Sequence, residues 1–447
     1  MKLPTPPSET VELVSFDGGV TATCERWRPD RYRMIEASGG VSPRIARGGG
    51  YSYAAASFGA RSLVLDMTRF DRVMSFDEDR RRTEVQAGTT LETVLSITGP
   101  RNLILSVQPG YPQITIGGCI AANVHGKNPF LEGTFAHQVE SLTLFHPRYG
   151  TLEISRRSSP DLFHLTCGGL GLTGVILSAT LRLQAVPGFS TSVERTEIGN
   201  LSEGLHAARS MTEGSAFAYT WHDGVPHRSS FGRGFVYRGR IIPGKPYPTT
   251  RRQYRRIDAA TRGNFPLSLL RGSTASLLTW GFWATERFKR RTVDMPLFDA
   301  IFPFARRSEY FLLFGRRGLA EAQVIVPDAQ IEGFVGELQN LLLRERPGSV
   351  MISMKLFRGE PRLLCFEGSG VCLTIDFARS SATTKFLGVF DEMCVASGAL
   401  PNLIKDSRIP LDIVRRCYPG YEEFRDRIHD HDPERLFRSE LSQRLGL

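Results

Sequence analysis

The sequence lacks the cysteine spacings that mark zinc sites and disulfide frameworks. Its seven cysteines are scattered along 447 residues, their number is odd, and no C-x-x-C pair occurs. Zinc ligands come in closely spaced sets and structural disulfides use cysteines in pairs, so neither kind of site is expected. We predict no metal and reduced, mostly buried thiols.

Long apolar runs are also missing. No uncharged apolar stretch reaches the length of about 18 residues that a membrane-spanning helix needs. The first residues, MKLPTPPSETVELVSFDGG, contain no basic stretch followed by an apolar block, so they do not resemble a signal peptide. We therefore expect a cytoplasmic protein without a transmembrane helix.

Acidic residues are fewer than basic ones. The chain has 56 Lys and Arg against 46 Asp and Glu, a formal net charge of +10. This excess favours an anionic partner: nucleic acid, an anionic membrane surface or a phosphorylated substrate. Nucleic acid is the least favoured of the three and is not expected, because no binding fold or regular basic helix accompanies the charge.

What is present indicates an α+β protein, and its length suggests two domains or one large composite fold. Residues 1–188 contain short β-type runs punctuated by glycine, with brief helices such as TTLETVLSITG, for which Thr90 is a suitable N-cap. Residues 189–415 alternate strands with longer helices, predicted at 328–346 and 381–398, in a split β-α-β order. Within them, about 240–310 has no clear period and predicts long mobile loops.

The C-terminal residues 416–447 are charged and helical in pattern. They end in DPERLFRSELSQRLGL.

One glycine motif imitates a dinucleotide fingerprint. GGLGLTG, at 168–174, satisfies G-x-G-x-x-G, but that motif requires a following helix, and VILSATLRL alternates like a strand. A Rossmann site is therefore not expected.

Three glycine-rich turns, at 47–50, 110–118 and 168–174, are predicted to join β-type segments. Together they suit a large elongated cofactor that contacts backbone amides, and the amides of RGGGYSY can form an anion-binding nest without any helix. Within TIGGCIAANVHGKN, small residues allow a flat group to approach the backbone closely.

These segments match a known family. The succession RGGGYSY, VQAGTTLETVL, PGYPQITIGGCIAANVHGKN, LFHLTCGGLGLTGVI and DPERLF resembles the vanillyl-alcohol-oxidase-type flavoproteins, which carry a PCMH-type FAD-binding domain. The resemblance implies an α+β fold in which a two-subdomain FAD-binding domain is joined to an α+β cap domain on an antiparallel sheet. The terminal segment 416–447 would return to the FAD domain.

The resemblance also implies where FAD lies. The matching residues are Arg47, Gly48, Gly49, Gly50, Tyr51, Ser52, Tyr53, Pro109, Gly110, Thr115, Gly117, Gly118, Ala121, Ala122, Asn123, His125, Gly126, Gly169, Gly171, Gly174, Val175 and Lys405. Several relatives attach the flavin covalently through a histidine in the first turn. This chain has Tyr51 there, which implies FAD that is bound non-covalently.

By the same resemblance, Lys405 in KDSR and His125 in HGKN are the candidate catalytic residues. Oxidation of a hydroxyl needs either a base or a cation that stabilises the developing alkoxide. The substrate pocket would contain Gln323, Lys355, Phe357 and Thr374. Thr374 replaces a cysteine of the family, so thiol-directed inhibitors should fail.

MKLFRG, LTIDF and KDSR point to the branch that oxidises polyprenylphosphoryl ribose. The implied reaction converts the ribose 2′-hydroxyl of a polyprenylphosphoryl-β-D-ribose into a 2′-keto group, the first half of epimerisation to arabinose. An NAD(P)H-dependent short-chain reductase would be the partner. The alternatives are a soluble sugar, alditol or aldonolactone oxidase of the same fold, and a flavin-binding protein without catalysis.

Basic and aromatic residues between 251 and 291 would suit peripheral contact with a membrane, at its inner face. They are Arg251, Arg252, Arg255, Arg256, Trp280, Phe282, Trp283, Lys289, Arg290 and Arg291. A solvated loop above an ordinary aromatic core is the alternative.

Overall fold

The computed structural model describes residues 8–37, 43–210, 214–226, 231–248, 268–305 and 309–447. Its strands are β1 Glu9–Val14, β2 Thr21–Trp27, β3 Arg44–Arg47, β4 Leu63–Asp66, β5 Val73–Asp77, β6 Arg82–Gln86, β7 Leu103–Ile104, β8 Val139–His146, β9 Gly150–Ser155, β10 Val175–Arg182, β11 Gln184–Ala185, β12 Ser190–Ile198, β13 Phe217–Asp223, β14 Gly234–Ile242, β15 Thr292–Pro296, β16 Leu319–Val326, β17 Ser349–Phe357, β18 Gly370–Ala378 and β19 Leu400–Pro401.

The α-helices are α1 Tyr32–Ala37, α2 Leu91–Thr98, α3 Ile116–Ala121, α4 Pro129–Glu132, α5 Pro160–Thr166, α6 Leu201–Ser210, α7 Gly272–Phe288, α8 Leu297–Ile301, α9 Glu309–Leu312, α10 Ile331–Glu345, α11 Ser381–Ala396, α12 Leu411–Cys417, α13 Tyr421–His431 and α14 Glu440–Arg444. Short 3-10 turns occur at Met67–Arg69, Gly99–Arg101, Phe135–Gln138 and Pro303–Ala305.

Two sheets form the first part of the chain. One has the order β1-β2-β4-β3, with β4 parallel to both of its neighbours, and the other is antiparallel with the order β5-β6-β10-β8-β9. The strand after GGLGLTG is β10, most of whose residues are buried, as expected for a central strand. Because a strand follows the glycines, the motif does not have Rossmann geometry.

The second part of the chain forms an eight-stranded antiparallel sheet, the cap sheet, with the order β15-β12-β14-β13-β17-β18-β16-β19. Leu373, Ile375 and Phe377 of β18 share a core with Phe334 of α10 and Phe386 of α11. Since side chains alternate along a strand, the intervening residues of β18 point to the opposite face. The fold is therefore α+β, with α10 and α11 on one face of this sheet. Helix α7 contacts the other face, through Phe282 and Trp221 of β13.

The C-terminal segment packs on the first part of the chain. The amide of Arg44 donates to Leu436, and that of Arg438 donates back to Arg44. Arg44 is only 1% exposed, so this contact lies deep in the protein.

Three local predictions were wrong. Gly117 and Gly118 lie in helix α3, which Thr115 caps, and the turn at 168–174 follows helix α5 rather than a strand. Among the described residues of the region 240–310, the 17-residue helix α7 occupies positions where loop was expected. The basic run 251–256 lies outside the described residues.

All seven cysteines are buried and unpaired. Within the described ranges, no helix is long and apolar enough to cross a bilayer. The same ranges contain no group of three or more His, Cys, Asp or Glu side chains that could hold a metal ion.

Candidate active site

A cavity of about 310 Å³ lies between the glycine-rich turns and the cap sheet. A second cavity of about 100 Å³ continues from it and shares Gly48, Ser52, Thr115 and Gly118 with it. The resulting space is elongated, and the second cavity is lined mainly by small residues of α3 and the two outer turns. An elongated ligand with a flat part and a narrow part therefore suits it.

The turn after β3 provides donors for an anion. The amide nitrogens of Gly48, Gly49 and Gly50 have no hydrogen-bond acceptor among the described residues. Arg47 lies beside them, with its Nη1 donating to Ser57 at 2.9 Å. Burial lowers the pKa of this guanidinium, but an arginine remains charged at physiological pH. Three free amides and one buried cation fit the diphosphate of FAD.

The space along this turn tolerates no side chain. A Cβ at Gly48 would lie 2.0 Å from Thr115 Oγ1, and one at Gly49 would lie 2.7 Å from the Tyr51 ring. Gly50 has φ +76°, which only glycine adopts without strain. Glycine is thus required in RGGG both by the conformation and by the neighbouring atoms.

Most of the predicted cofactor residues line the two cavities. They are Arg47, Gly48, Gly49, Gly50, Tyr51, Ser52, Tyr53, Pro109, Gly110, Thr115, Gly117, Gly118, Ala121, Ala122, Asn123, His125, Gly126, Gly171, Gly174 and Lys405. Gly169 and Val175 do not line them, since Gly169 lies against the Leu165 carbonyl and Val175 is fully buried in the core.

The cap sheet supplies the opposite wall. Three neighbouring strands direct polar side chains to it at alternate positions: Glu321 and Gln323 on β16, Ser353 and Lys355 on β17, Thr374 and Asp376 on β18. A sheet normally buries apolar residues on a covered face, so this concentration of polar groups indicates a binding surface.

A hydrogen-bond network connects three of the predicted residues. His125 Nε2 lies 3.2 Å from Gln323 Oε1, and Gln323 Nε2 donates to Thr374 Oγ1 at 2.9 Å. Asn402 donates to the same Gln323 oxygen at 2.6 Å. Burial, together with the nearby charges of Lys355 and Lys405, lowers the pKa of His125 to about 3. His125 is therefore neutral and acts as a hydrogen-bonding group.

Lys405 is held as a cation. Its Nζ lies 3.3 Å from Glu321 Oε1 and 4.0 Å from the centre of the Tyr53 ring. Burial alone would lower the pKa of Lys405, but Glu321, Tyr53 and Asp376 outweigh it and raise the pKa. A lysine that keeps its proton stabilises a developing alkoxide and does not act as the base.

Lys355 is the second cation of this wall. Burial lowers its pKa, and Lys405 contributes in the same direction. Its ammonium group has no hydrogen-bond or ion-pair partner in the part of the chain that the structure describes. A half-buried cation without a protein partner favours an anionic or hydroxyl-rich ligand.

Phe357 does not line the cavity. Its ring centre lies 5.0 Å from that of His125, in an edge-to-face contact, so it supports the imidazole from behind. The Cys372 thiol is fully buried, which raises its pKa to about 12, and it does not replace Thr374 at the cavity.

Several lining residues were not predicted. Phe16, Tyr111, Lys127, Phe304 and Phe366 come from loops whose positions no local pattern reveals. Glu321 and Asp376 lie two residues from Gln323 and Thr374 respectively, so the period of a strand could have identified them.

Comparison with known protein families identifies FAD as the cofactor. Residues 41–154 match the family model described as an FAD binding domain. This segment contains β3, the turn after it and helix α3, the elements that line the narrow cavity.

Similar proteins extend beyond that domain. The chain is 27% identical over 414 residues to decaprenylphosphoryl-beta-D-ribose oxidase of Mycolicibacterium smegmatis (90% of this chain, 89% of that protein). It is 29% identical over 384 residues to an uncharacterized protein encoded in the mprA 5′ region of Streptomyces coelicolor (80% and 100%). L-galactono-1,4-lactone dehydrogenase of Arabidopsis thaliana is 33% identical, but over 144 residues (32% and 23%).

Proposed function

We propose, from the premise that this chain is an FAD-binding oxidoreductase of the vanillyl-alcohol-oxidase type, that it oxidises the ribose 2′-hydroxyl of a polyprenylphosphoryl-β-D-ribose to a 2′-keto group. The observation that carries the proposal is the cap wall. Two lysines and a Gln323-centred network face the cavity beside the turn that suits a diphosphate.

The charge states of Lys405 and His125 suggest different roles for these two residues in the oxidation. FAD, when bound, accepts the two electrons and the hydrogen that leave the alcohol carbon. Lys405 stabilises the negative charge that develops on the substrate oxygen as the hydroxyl proton passes to water. His125, neutral and tied to Gln323, orients the sugar hydroxyls.

Lys355 is the proposed contact for the substrate phosphate or a neighbouring hydroxyl. Its unpartnered ammonium lies on the same strand as Ser353, two residues away and on the same face. A phosphorylated sugar supplies both charge and hydroxyl groups for these side chains, whereas an aldonolactone supplies no charge.

A lipid-linked substrate requires access to a membrane, and helix α7 suits such contact. Leu277, Trp280 and Phe288 are exposed by 65%, 52% and 89%. Their spacing places them on one side of the helix, and Arg290 follows at its C-terminal end. Apolar residues beside basic ones favour an anionic bilayer surface. Phe282 and Trp283 instead pack against Trp221 and Arg233.

The 2′-keto sugar needs reduction to complete an epimerisation. We propose an NAD(P)H-dependent short-chain reductase as the partner that performs this step.

The proposal is tested by mixing the FAD-bound protein anaerobically with a polyprenylphosphoryl ribose and recording the loss of flavin absorbance. Bleaching is expected with this substrate and not with L-galactono-1,4-lactone or free alditols. Bleaching by the lactone or by an alditol alone would contradict the proposal and favour a soluble sugar oxidase. A protein that no substrate bleaches would be a flavin-binding protein without this catalysis.

A matched pair of variants assigns the phosphate contact. Lys355→Met should raise the substrate concentration needed for half-maximal bleaching by about 10-fold or more, as loss of a buried charge-assisted contact does. Lys385→Met is the control, because Lys385 is 75% exposed and pairs with Glu345. Equal behaviour of the two variants would remove Lys355 from the substrate site.

A further inference from the structure

Two acidic residues lie side by side at the cavity. Glu321 of β16 and Asp376 of β18 are directly opposite each other in the antiparallel register, and both line the cavity. They are only 7% and 3% exposed. Two carboxylates at such a place repel each other strongly, so both cannot keep a negative charge at neutral pH without compensation.

Each carboxyl has one strong partner. Lys405 Nζ lies 3.3 Å from Glu321 Oε1, and the Tyr310 hydroxyl donates to Asp376 Oδ2 at 2.6 Å. Neither Glu321 Oε1 nor Asp376 Oδ1 accepts a well-directed hydrogen bond from the described residues. A single proton between the two side chains would convert one of them into a donor for the other.

The charges around the pair support one proton. The titratable groups that face it in the described residues are Lys405, Lys355, Tyr310, Tyr53 and Cys372. Asp17, Arg379, Asp406 and Arg408 line a small cavity with Glu321, and both of these arginines are paired with other carboxylates. Of the two lysines only Lys405 is in contact with the pair, and it compensates one negative charge. Burial, followed by the repulsion from Glu321, raises the pKa of Asp376 to about 8.

We propose, on the basis of the function proposed above, that Glu321 and Asp376 share one proton and that this singly charged pair is the counter-ion that positions Lys405 at the cavity. Asp376 is a positioning residue, since it acts through Glu321 and Lys405. When the shared proton is lost, the pair carries two negative charges. It then cancels the charge that Lys405 offers to the substrate oxygen.

Stability against pH tests the shared proton without any substrate. The pKa of Asp376 is raised in the folded state, so the contribution of Asp376 to stability is present below pH 4 and is lost as the pH rises to about 8. Between pH 6 and pH 8, the unfolding constant of the FAD-bound wild type should rise by about tenfold per pH unit relative to Asp376→Asn and Glu321→Gln. Urea unfolding at each pH measures it.

The Tyr310→Phe variant gives a shift in a defined direction. In the wild type, the Tyr310 hydroxyl donates to Asp376 and lowers the pKa of Asp376. Removal of this hydroxyl should therefore move the midpoint of the titration to higher pH. A purely structural role for these three residues would not produce loss of the transition in two variants and an upward shift in the third. Parallel pH dependence of wild type and all variants would overturn the proposal.

The positioning of Lys405 is tested by the rate of flavin reduction. In the wild type this rate should fall above about pH 8. In Asp376→Asn, which keeps Glu321 beside Lys405, the fall should move to higher pH. An unchanged rate profile in this variant would refute the positioning role. The unfolding experiment uses no substrate, so a wrong substrate assignment and a wrong proton assignment give different results.

Discussion

Lys405 and His125 line the same cavity but have opposite protonation preferences. Glu321 and Tyr53 hold the proton on Lys405, whereas burial and the two nearby lysines keep it off His125. One residue therefore supplies charge at the site, and the other supplies an uncharged hydrogen-bonding ring. The sequence motifs alone left open whether a base or a cation assists the oxidation, and these surroundings favour the cation.

The state of His125 should appear in the pH dependence of stability. Its folded pKa of about 3 lies below the usual 6.5, so its contribution is present above pH 6.5 and is lost as the pH falls. Between pH 6.5 and pH 5 the wild type should lose about 2 kcal/mol more than His125→Gln. Urea unfolding measures the difference, and the exposed His206→Gln variant should behave as wild type. Parallel curves for wild type and His125→Gln would show that the imidazole is not kept neutral.

Residue identities at the site were predictable where a motif carried them. Gln323 and Thr374 were predicted and line the cavity, but Glu321 and Asp376 were missed although they follow the same alternation. A buried carboxylate is rarely expected on a covered sheet face. Only the register between β16 and β18 brings these two together, and pairing between strands is not encoded locally.

At the scale of elements, helices with a clear apolar period were predicted, whereas α3 and α7 were not. Thr90 caps α2, and the helices predicted at 328–346 and 381–398 were found at Ile331–Glu345 and Ser381–Ala396. The sequence predicted a turn at the start of helix α3, because Gly117 and Gly118 disfavour helix locally. Tertiary packing decides it: Ile116, Cys119 and Ile120 are completely buried.

The turn after β3 should be intolerant of any side chain. In Gly48→Ala, the new Cβ would collide with Thr115, and the resulting strain of about 1–3 kcal/mol should weaken FAD binding by about 10- to 100-fold. Gly333→Ala is the control, because Gly333 lies in α10, where a new methyl group would have no neighbouring atom within 4 Å. That variant should bind FAD normally and gain up to about 1 kcal/mol of stability. Titration of flavin fluorescence measures both affinities, and equal affinities would contradict the role of the turn.

Helix α7 should bring the protein to anionic bilayers. Replacing Leu277, Trp280 and Phe288 with serine removes the exposed apolar side and should weaken binding to vesicles with anionic lipid by at least about tenfold. Val389→Ser is the control, since Val389 is also exposed but lies on α11. Vesicle sedimentation at low and high salt measures the binding. Wild-type binding by the triple variant would exclude α7 as the contact.

At the scale of the whole molecule, the surroundings of the cavity favour FAD that is not attached to the chain. Tyr51 stands in the first turn, where its ring packs against Tyr111 at 4.8 Å and Phe16 at 5.7 Å. Cysteine, another residue able to bond to a flavin, does not line either of the two cavities formed by the described residues. The contacts available to FAD are backbone amides, small side chains, aromatic rings, charges and the His125 imidazole, which is held by Gln323.

Denaturation should consequently release the flavin. After unfolding in guanidinium and filtration, all of the yellow colour should pass through the filter, and the retained polypeptide should be colourless. Refolded protein supplied with FAD at about 100 times its Kd should gain about 2.7 kcal/mol of stability over the FAD-free form. Because the cofactor would contact both the glycine turns and the cap wall, this gain should appear in one cooperative transition. Colour that stays with the unfolded chain would show a covalent bond that none of these contacts predicts.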